Sequence, residues 1–145
     1  LRLASAGVSP YDSYDDYLME HWGQWIIKLP KYPYAQMPDL VAAAHVLMVP
    51  QRDTPAAKAQ FPLKLTDGMA MAKPVLASRV GDIPKILGDT GYLVDPASPD
   101  QIANLIALLF QDLGAANQKG RRARERCIEA MATSLQQILS GMPQP

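Results

Sequence analysis

Five short apolar segments, each separated from the next by a dozen or more residues, constrain this fold more than any other feature. Gaps of that length are too long for tight hairpins but long enough for helical crossover connections. Several segments are nearly continuous apolar runs, which is typical of strands covered on both faces. The sequence therefore predicts an α/β fold with a parallel sheet of about five strands and helices on both faces. The predicted strands are 1–7, 24–29, 45–50, 73–78 and 91–95, and the predicted helices between them are 13–22, 37–44, 62–72 and 81–87.

The last third of the chain is predicted to be helical. Ser98 and Gln101 have the spacing of a capping box, and Gly114 is expected to end the helix that they begin. A second helix is predicted from about residue 117 to 139, before a disordered tail at 141–145, so that residues 1–140 form one domain. The side chains expected to point inward are Ile102, Leu105, Ile106 and Leu109 on the first helix, and Ile128, Met131, Leu135 and Ile138 on the second.

Charge and composition narrow the class of protein. The 14 basic and 14 acidic residues give zero formal net charge, so no nucleic-acid partner is indicated. No apolar run is long enough to cross a bilayer and no signal peptide is visible, so we expect a cytoplasmic protein. The basic cluster at 119–126 predicts a solvated helix face, with peripheral contact on the inner face of a membrane as the alternative. The single cysteine, Cys127, is expected to pack quietly within a helix.

Familiar catalytic signatures are missing from the sequence. There is no nucleophile elbow, no P-loop, no G-x-G-x-x-G and no H-E-x-x-H. His21 and His45 lie far apart and have no metal-ligand spacing. We therefore predict no metal site, and the catalytic residues stay unknown.

The stretch "AQFPLKLTDG" suggests an anion site. Ligands of open parallel sheets bind at the carboxyl ends of strands, beside helix N-termini. Pro62 is expected at the first helical position, which leaves Phe61 as a cap without a side-chain oxygen. The N–H groups of Leu63 and Lys64 would then lack acceptors. Together with the helix dipole and the Lys64 ammonium, they could bind a phosphate.

Several interpretations of this stretch stay open. Asp53 or Thr54 could fold back and cap the helix instead. Lys64 and Asp67, one turn apart, could simply form a surface ion pair. Alternatively, the Asp67 carboxylate could accept from the two hydroxyls of a ribose, so that the stretch binds a nucleoside diphosphate.

A second loop, "SRVGDIP", follows the fourth strand. Gly81 permits a close backbone approach or a positive φ. Asp82 is expected to cap the short helix that Gly88 ends, and capping leaves it without a predicted chemical role.

The segment "QFPLKLTDGMAMAKPVLASRVGDIPKILGDTGYLVDP" resembles the nucleotide-sugar-binding half of glycosyltransferase family 4, which has the GT-B architecture of two Rossmann-like halves. The resemblance covers roughly residues 24–140. It implies a hexosyltransferase that moves a sugar from a UDP- or GDP-type donor with retention of configuration, without an obligatory metal or other cofactor. The base is expected to be held by backbone around Leu29 to Lys31. The donor-binding residues that the resemblance implies are Phe61, Pro62, Leu63, Lys64, Asp67, Arg52, Leu29, Pro30 and Lys31.

The sequence also departs from the family pattern. Ala59 stands where the family has the first of two glutamates, and Asp67 replaces the second with a shorter carboxylate. Lys85 stands where a carboxylate is common. We expect that the first strand–helix unit, its basic glycine loop and the acceptor-binding half precede Leu1, so that this chain alone binds donor poorly and transfers nothing.

Two rival classes are kept. Asp12, Asp15 and Asp16 suggest the acidic pocket of a flavodoxin-like or receiver-like module, although Val49-Pro50 lacks the carboxylate that such a pocket needs at the third strand. The other rival is a degenerate sugar-nucleotide fold without catalysis, which Ala59 favours. An epimerase of similar architecture is a smaller alternative.

Overall fold

A computed structural model describes residues 1–6 and 12–140, and the chain divides into two compact units, Leu1–Met37 and Pro38–Pro145. The first unit contains β1 (Leu3–Ala6), α1 (Asp12–Trp22) and β2 (Ile26–Leu29), followed by a 3-10 turn at Tyr34–Gln36. β1 and β2 pair in parallel, with Leu3 opposite Ile26. The end of the predicted first strand, residue 7, and the predicted tail at 141–145 lie outside the described residues.

The second unit is built on a parallel sheet in the order β3–β4–β5. The five predicted strands are confirmed in the described part of the chain, and they are divided between a two-stranded and a three-stranded sheet. The last four are each shorter than their apolar segments, because the ends of those segments lie in the adjoining loops. The elements of this unit are α2 (Met37–Ala43), β3 (Leu47–Val49), α3 (Pro55–Ala59), α4 (Leu63–Ala70), β4 (Val75–Ser78), α5 (Ile83–Leu87), β5 (Tyr92–Val94), α6 (Pro99–Gln111) and α7 (Leu113–Ser140).

The central strand β4 separates two apolar clusters, and all four of its residues are buried. Val75 and Ala77 point to one face, where they pack with residues of α4, α5 and α7. Leu76 points to the other face, where it packs with Leu109 and the partly buried side chains of α6. The predicted inward face of α6 is therefore confirmed. This alternation follows from the period of two in a β-strand, and it gives the three-stranded sheet helices on both faces.

The packed edge of α7 consists of small residues. A Cβ added to Gly120 would lie 2.4 Å from the Ala72 carbonyl oxygen, so α7 passes in direct backbone contact with the turn after α4. Ala116, Ala123 and Cys127 are buried on the same side. Burial raises the pKa of the Cys127 thiol, in agreement with its predicted packing role.

The predicted inward face of the second half of α7 is wrong. Ile128, Met131, Leu135 and Ile138 are between 56% and 62% exposed. The amphipathic period was correct, but this half of the helix extends beyond the clusters that surround β4. No described element of this unit covers it.

The predicted capping box of α6 is also wrong. Ser98 occupies the cap position, but its side chain makes no cap hydrogen bond. The Gln101 side chain instead accepts from the Asp95 N–H at 2.8 Å and donates to the Asp95 carboxylate at 2.9 Å. Asp95, just after β5, thus binds the Gln101 side-chain amide, which a capping box would need for the Ser98 N–H.

Gly114 does not end α6. That helix ends at Gln111, and Gly114 lies in the first turn of α7. Asp112 separates the two helices, and its Oδ1 accepts from the Ala115 N–H at 2.8 Å. The break between the two helices is therefore set by the side-chain cap of α7 and not by a glycine.

Candidate functional site

α4 begins without a side-chain cap. Pro62 occupies the cap position with φ −83° and ψ 80°, and Leu63 is the first helical residue. The helix therefore starts one residue later than predicted, and Phe61 is not the cap, because Pro62 has a non-helical ψ. Pro62 is buried, whereas Phe61 and Leu63 are 56% and 68% exposed. The start of the helix consequently faces solvent.

One backbone donor of this first turn is left open. The Leu63 N–H donates to the Phe61 carbonyl at 3.0 Å, and the Leu65 N–H donates to the Pro62 carbonyl at 2.9 Å. Among residues 1–6 and 12–140, no group accepts from the Lys64 N–H. The predicted pair of open donors is thus reduced to one, because the chain turns tightly enough at Pro62 to satisfy Leu63 locally.

The upstream polar residues do not cap α4. Thr54 caps α3, where its Oγ1 accepts from the Ala57 N–H at 3.2 Å. The Asp53 carboxylate lies 2.7 Å from the Lys58 ammonium on the same short helix. The alternative in which Asp53 or Thr54 folds back onto the start of α4 is therefore wrong, because α3 uses both side chains.

The polar face of α4 carries two exposed charges that pair with no described residue. The Lys64 and Asp67 side chains do not form the surface ion pair that their spacing allows, and neither contacts another charged group in the described part of the chain. Thr66, between them, donates to the Leu63 carbonyl at 2.8 Å. A cation and a carboxylate thus stand one turn apart on a solvent-facing surface, beside the open Lys64 amide.

The opposite face of α4 is buried against the sheet. Leu65 and Met69 are 0% and 1% exposed, and burial of side chains of this size contributes about 1.5–3 kcal/mol each. A Cβ at Gly68 would lie 2.3 Å from a methyl group of Leu47, so a larger residue would require that side chain on β3 to shift. The helix that presents Lys64 and Asp67 is therefore held rigidly.

Gly81, in the loop after β4, approaches the backbone of α3 in the segment between β3 and α4. Its φ is +54°, and a Cβ there would lie 3.2 Å from the Lys58 carbonyl oxygen. Both properties predicted for Gly81 are confirmed, because the loop after β4 rests against the backbone of α3. The residues on either side of this contact follow β3 and β4, at the carboxyl edge of the sheet where ligands of open α/β folds bind.

Asp82 does not cap α5 as predicted. It stands at the cap position in a helical conformation, with φ −84° and ψ −3°, and its side chain makes no cap hydrogen bond. A capping side chain needs an extended backbone, so Asp82 is left exposed beside Gly81. Gly88 ends α5 as predicted, and its N–H donates to the Pro84 carbonyl at 2.9 Å.

The other predicted site residues are distributed over both units. Arg52 and Ala59 are exposed in the segment that precedes α4. Leu29 ends β2, and the exposed Pro30 and Lys31 follow it, all in the first unit. The structure thus brings Arg52, Phe61, Pro62, Leu63, Lys64 and Asp67 together in one unit, and Leu29, Pro30 and Lys31 are described separately from them.

The basic cluster of α7 is engaged with its own domain. Lys119 lies 4.2 Å from the centre of the Tyr92 ring, and Arg122 pairs with Asp89. The Arg126 guanidinium donates to two backbone carbonyls of α5. These contacts connect residues that are far apart in sequence, so they could not be predicted from the local charge pattern. The predicted solvated face is confirmed for Arg122 and Arg126, which are exposed, but the sequence did not predict the contacts that they make with the domain.

Within residues 1–6 and 12–140, the acidic residues of α1 show no receiver-like pocket. Asp15 forms an ion pair with Lys28, with 2.7 Å between Nζ and Oδ2. The side chain of Asp12 lies outside the described residues. In the described part of the chain, no three His, Cys, Asp or Glu side chains are grouped as a metal site would require.

Comparison with known proteins identifies relatives with glycosyl-transfer activities. The family described as glycosyl transferases group 1 matches residues 1–112. N-acetyl-alpha-D-glucosaminyl L-malate synthase from Bacillus anthracis is 36% identical over 74 residues, which cover 50% of this chain and 19% of that protein.

Solved structures have the same fold. Sucrose-phosphate synthase from Thermosynechococcus elongatus matches with a TM-score of 0.78 and 26% identity, over 96% of this chain and 38% of that one. Anabaena HepE in complex with UDP matches with a TM-score of 0.71 and 17% identity, over 98% of this chain and 41% of that one. The chain thus spans about a fifth of the curated relative and about two-fifths of each structure. None of the helices in the described ranges has the length and hydropathy of a membrane span.

Proposed function

Because the chain belongs to the glycosyl transferases group 1 family, we propose that it is the donor-binding domain of a retaining, family 4 glycosyltransferase. Its donor is a nucleotide-diphosphate sugar, of the UDP or GDP type, and no cofactor takes part. One observation carries the proposal: Lys64 and Asp67 stand exposed and one turn apart at the start of a helix, and no described residue pairs with either charge or caps that start through its side chain.

Lys64 binds the diphosphate in this proposal. Its open N–H points along the axis of α4 toward the positive end of the helix dipole, and its ammonium adds a full charge. Hydrogen bonds to charged groups are stronger than neutral ones, so both groups of one residue favour the dianionic ligand. Arg52, exposed in the preceding loop, supplies a second cation on the same side of the domain.

Asp67 binds the ribose. Its carboxylate has no partner in the described residues and can accept from two vicinal hydroxyls, which nucleotides of either base provide. The backbone of Leu29, Pro30 and Lys31 is assigned to the base, as the family resemblance implies. The solved complex of Anabaena HepE contains UDP, which supports the uridine form of the donor.

Titrations with UDP and uridine, followed by amide spectra, test these roles. Lys64→Ala should weaken UDP binding by about 1–3 kcal/mol, roughly 5- to 150-fold, and leave uridine binding nearly unchanged. Asp67→Ala should weaken UDP and uridine equally. With 2′-deoxy-UDP, much of the Asp67 effect should disappear, because one hydroxyl partner is gone.

Arg121→Ala is the matched control, since Arg121 is an exposed cation of α7 without a partner among described residues. It should leave all three affinities unchanged. Parallel titrations with GDP establish the base. If Lys64→Ala and Asp67→Ala bound UDP and GDP as tightly as the wild type, the donor site would lie elsewhere.

The acceptor-binding half is assigned to a separate part of a longer polypeptide. The chain spans 19% of the Bacillus anthracis relative and 38% of the sucrose-phosphate synthase chain, which leaves room for such a half. The acceptor-binding half would cover the exposed apolar stripe on the second half of α7. Four aliphatic side chains offer less than the roughly 800 Å² per partner of a standard interface, so the stripe suits a tethered partner better than a free one. The stripe residues are Ile128, Met131, Leu135 and Ile138.

Met131→Lys tests this assignment. In the 145-residue chain the change should alter stability by less than about 0.5 kcal/mol, because Met131 is 62% exposed. In a longer polypeptide that includes the acceptor-binding half, it should cost about 2 kcal/mol or more. Equal effects in both would exclude a tethered partner, and a dimer of the short chain in sedimentation experiments would assign the stripe to a second copy.

A non-catalytic sugar-nucleotide domain is the second candidate, and Ala59 favours it. Ala59 ends α3, is exposed and has no polar group to contact a transferred sugar. A longer polypeptide that binds UDP but hydrolyses and transfers no UDP-sugar would support this candidate. Turnover that depends on Lys64 would refute it.

A further inference from the structure

A single arginine of α7 holds the C-terminal end of α5. The Arg126 Nε donates to the Ile86 carbonyl at 2.8 Å, and a terminal nitrogen of the same guanidinium donates to the Lys85 carbonyl at 2.9 Å. These carbonyls belong to the last turn of a five-residue helix, where intrahelical partners are missing. The planar guanidinium satisfies both at once, which an ammonium cannot do in the same geometry.

Gly88 leaves the space that the guanidinium occupies. A Cβ at Gly88 would lie 3.0 Å from the central carbon of the Arg126 guanidinium. The backbone of Gly88 has φ 54° and ψ −129°, a conformation available essentially to glycine alone. Two features of the sequence that are 38 residues apart thus meet at one contact. The ion pair between Arg122 and Asp89 lies one residue further along the same loop.

The other end of α5 leads directly into the loop at Gly81. The Ile83 N–H donates to the Val80 carbonyl at 3.2 Å, and the Ile86 N–H donates to the Asp82 carbonyl at 2.9 Å. These bonds connect the first turn of α5 to the loop and the loop to the last turn. Because α5 is only one and a half turns long, its C-terminal end and its N-terminal loop move as one rigid piece.

We propose that Arg126 is a positioning residue for the donor site: by holding α5 it keeps the Gly81 loop against α3. It does not touch the donor. The Gly81 loop rests on the Lys58 backbone, and that contact supports the segment that leads to Phe61 and the start of α4. The part of this inference that concerns nucleotide affinity rests on the proposed function; the part that concerns the loop does not.

Amide hydrogen exchange measured by NMR on the 145-residue chain tests the loop directly. In Arg126→Ala, exchange at Ile83 and Ile86 should accelerate about tenfold or more, while exchange at Leu47 in β3 stays unchanged. The affinity for UDP should fall about three- to tenfold. Arg126→Lys should restore part of both effects, since the ammonium can donate to one of the two carbonyls. Arg124→Ala, an exposed cation of the same helix, is the control and should change neither.

The outcomes separate positioning from mere stabilisation. If Arg126→Ala accelerated exchange at Leu47 as much as at Ile83, Arg126 would act on global stability only, and the proposal would be refuted. It would also be refuted if only the amide of Gly88 were affected. Gly88→Ala supplies a second route, because it displaces the guanidinium, and its effect at Ile83 should not add to that of Arg126→Ala.

Failure of the proposed function gives a different result. If a longer wild-type polypeptide that includes the acceptor-binding half bound neither UDP nor GDP, the donor assignment would fall, whereas the exchange at Ile83 would still decide whether Arg126 holds the loop. If wild type bound UDP and Arg126→Ala bound it equally well, with a loosened loop, the donor site would stand and the positioning role would not.

Discussion

Gly120→Ala tests the close contact between α7 and the turn that follows α4, the helix that carries the candidate site. The added Cβ would lie 2.4 Å from the Ala72 carbonyl oxygen and 2.8 Å from the Lys73 carbonyl carbon. Both are backbone atoms, so no side chain can rotate away, and either α7 or the turn after α4 must shift. Overpacking costs about 1–3 kcal/mol or more, and the better helix propensity of alanine returns about 1 kcal/mol. Because both clashes are with backbone, the cost lies at the upper end of that range, and we expect a net loss of about 1–2 kcal/mol.

Gly114→Ala is the matched control, because it is the same change in the same helix. Its Cβ would meet only the Asp112 Oδ1 at 3.2 Å, the end of an exposed side chain. It should leave stability unchanged or raise it by up to about 1 kcal/mol. Urea unfolding measures both, and the expected difference between the variants corresponds to roughly 3–9 °C in Tm. A Gly120→Ala protein as stable as Gly114→Ala would refute the close approach of α7.

Three further predictions concern single residues. Ala72 has a left-handed φ of 55° at the end of α4, so Ala72→Gly should stabilise the chain by about 0.5–1 kcal/mol in urea unfolding, and a loss would contradict the strain. Burial, then the nearby Asp112, raises the pKa of Tyr92 above 10.0. The stability from neutral Tyr92 is therefore complete below about pH 10 and is lost as the pH rises through the folded pKa. The Tyr92→Phe protein should lack that loss of stability, and identical pH profiles of the two proteins would contradict the shift. Because burial also raises the pKa of Cys127, a thiol reagent should label it slowly in the folded protein and rapidly in urea, and equal rates would contradict its burial.

The sheet could be predicted because strand signals are local. The run "KPVLAS" contains β4, and its apolar continuity reflects burial on both faces, which the structure confirms for Val75 to Ser78. Division into two sheets could not be predicted, because no local pattern states which strands pair. Pairing depends on contacts between distant segments, and β1 and β2 belong to a different compact unit from β3, β4 and β5.

Helix ends were predicted less well than helix faces. A capping box at Ser98 and Gln101 has the right spacing, but Asp95 offers the Gln101 side chain two hydrogen bonds at once. Similarly, Asp112 caps the start of α7, so that this helix begins before Gly114, which was expected to end α6. In both places an aspartate outside the expected motif takes part in the hydrogen bond, and the spacing of a motif alone does not decide between such partners.

For the candidate site, helical spacing predicted the two exposed charges, whereas the number of open backbone donors depended on the backbone geometry at Pro62. Lys64 and Asp67 were expected on one helix face, and the structure has them there, exposed and without partners in its described part. The loss of one open donor depended on the ψ of Pro62, which lets Leu63 bond to Phe61. The role of Arg126 could not be predicted at all, because it acts on carbonyls 40 and 41 residues away.

One face of α7 serves two purposes along its length. Gly120, Ala123 and Cys127 follow one another at helical spacing, and Met131 and Leu135 continue the same line at steps of four. Side chains on this line are small where the turn after α4 lies in backbone contact, and large where no described element of the domain packs against them. Helices approach closely only through small residues, whereas large ones need a partner farther away. The change in size after Cys127 therefore marks the point where α7 leaves its own core, so the sequence predicted the correct face but wrongly placed its second half in that core.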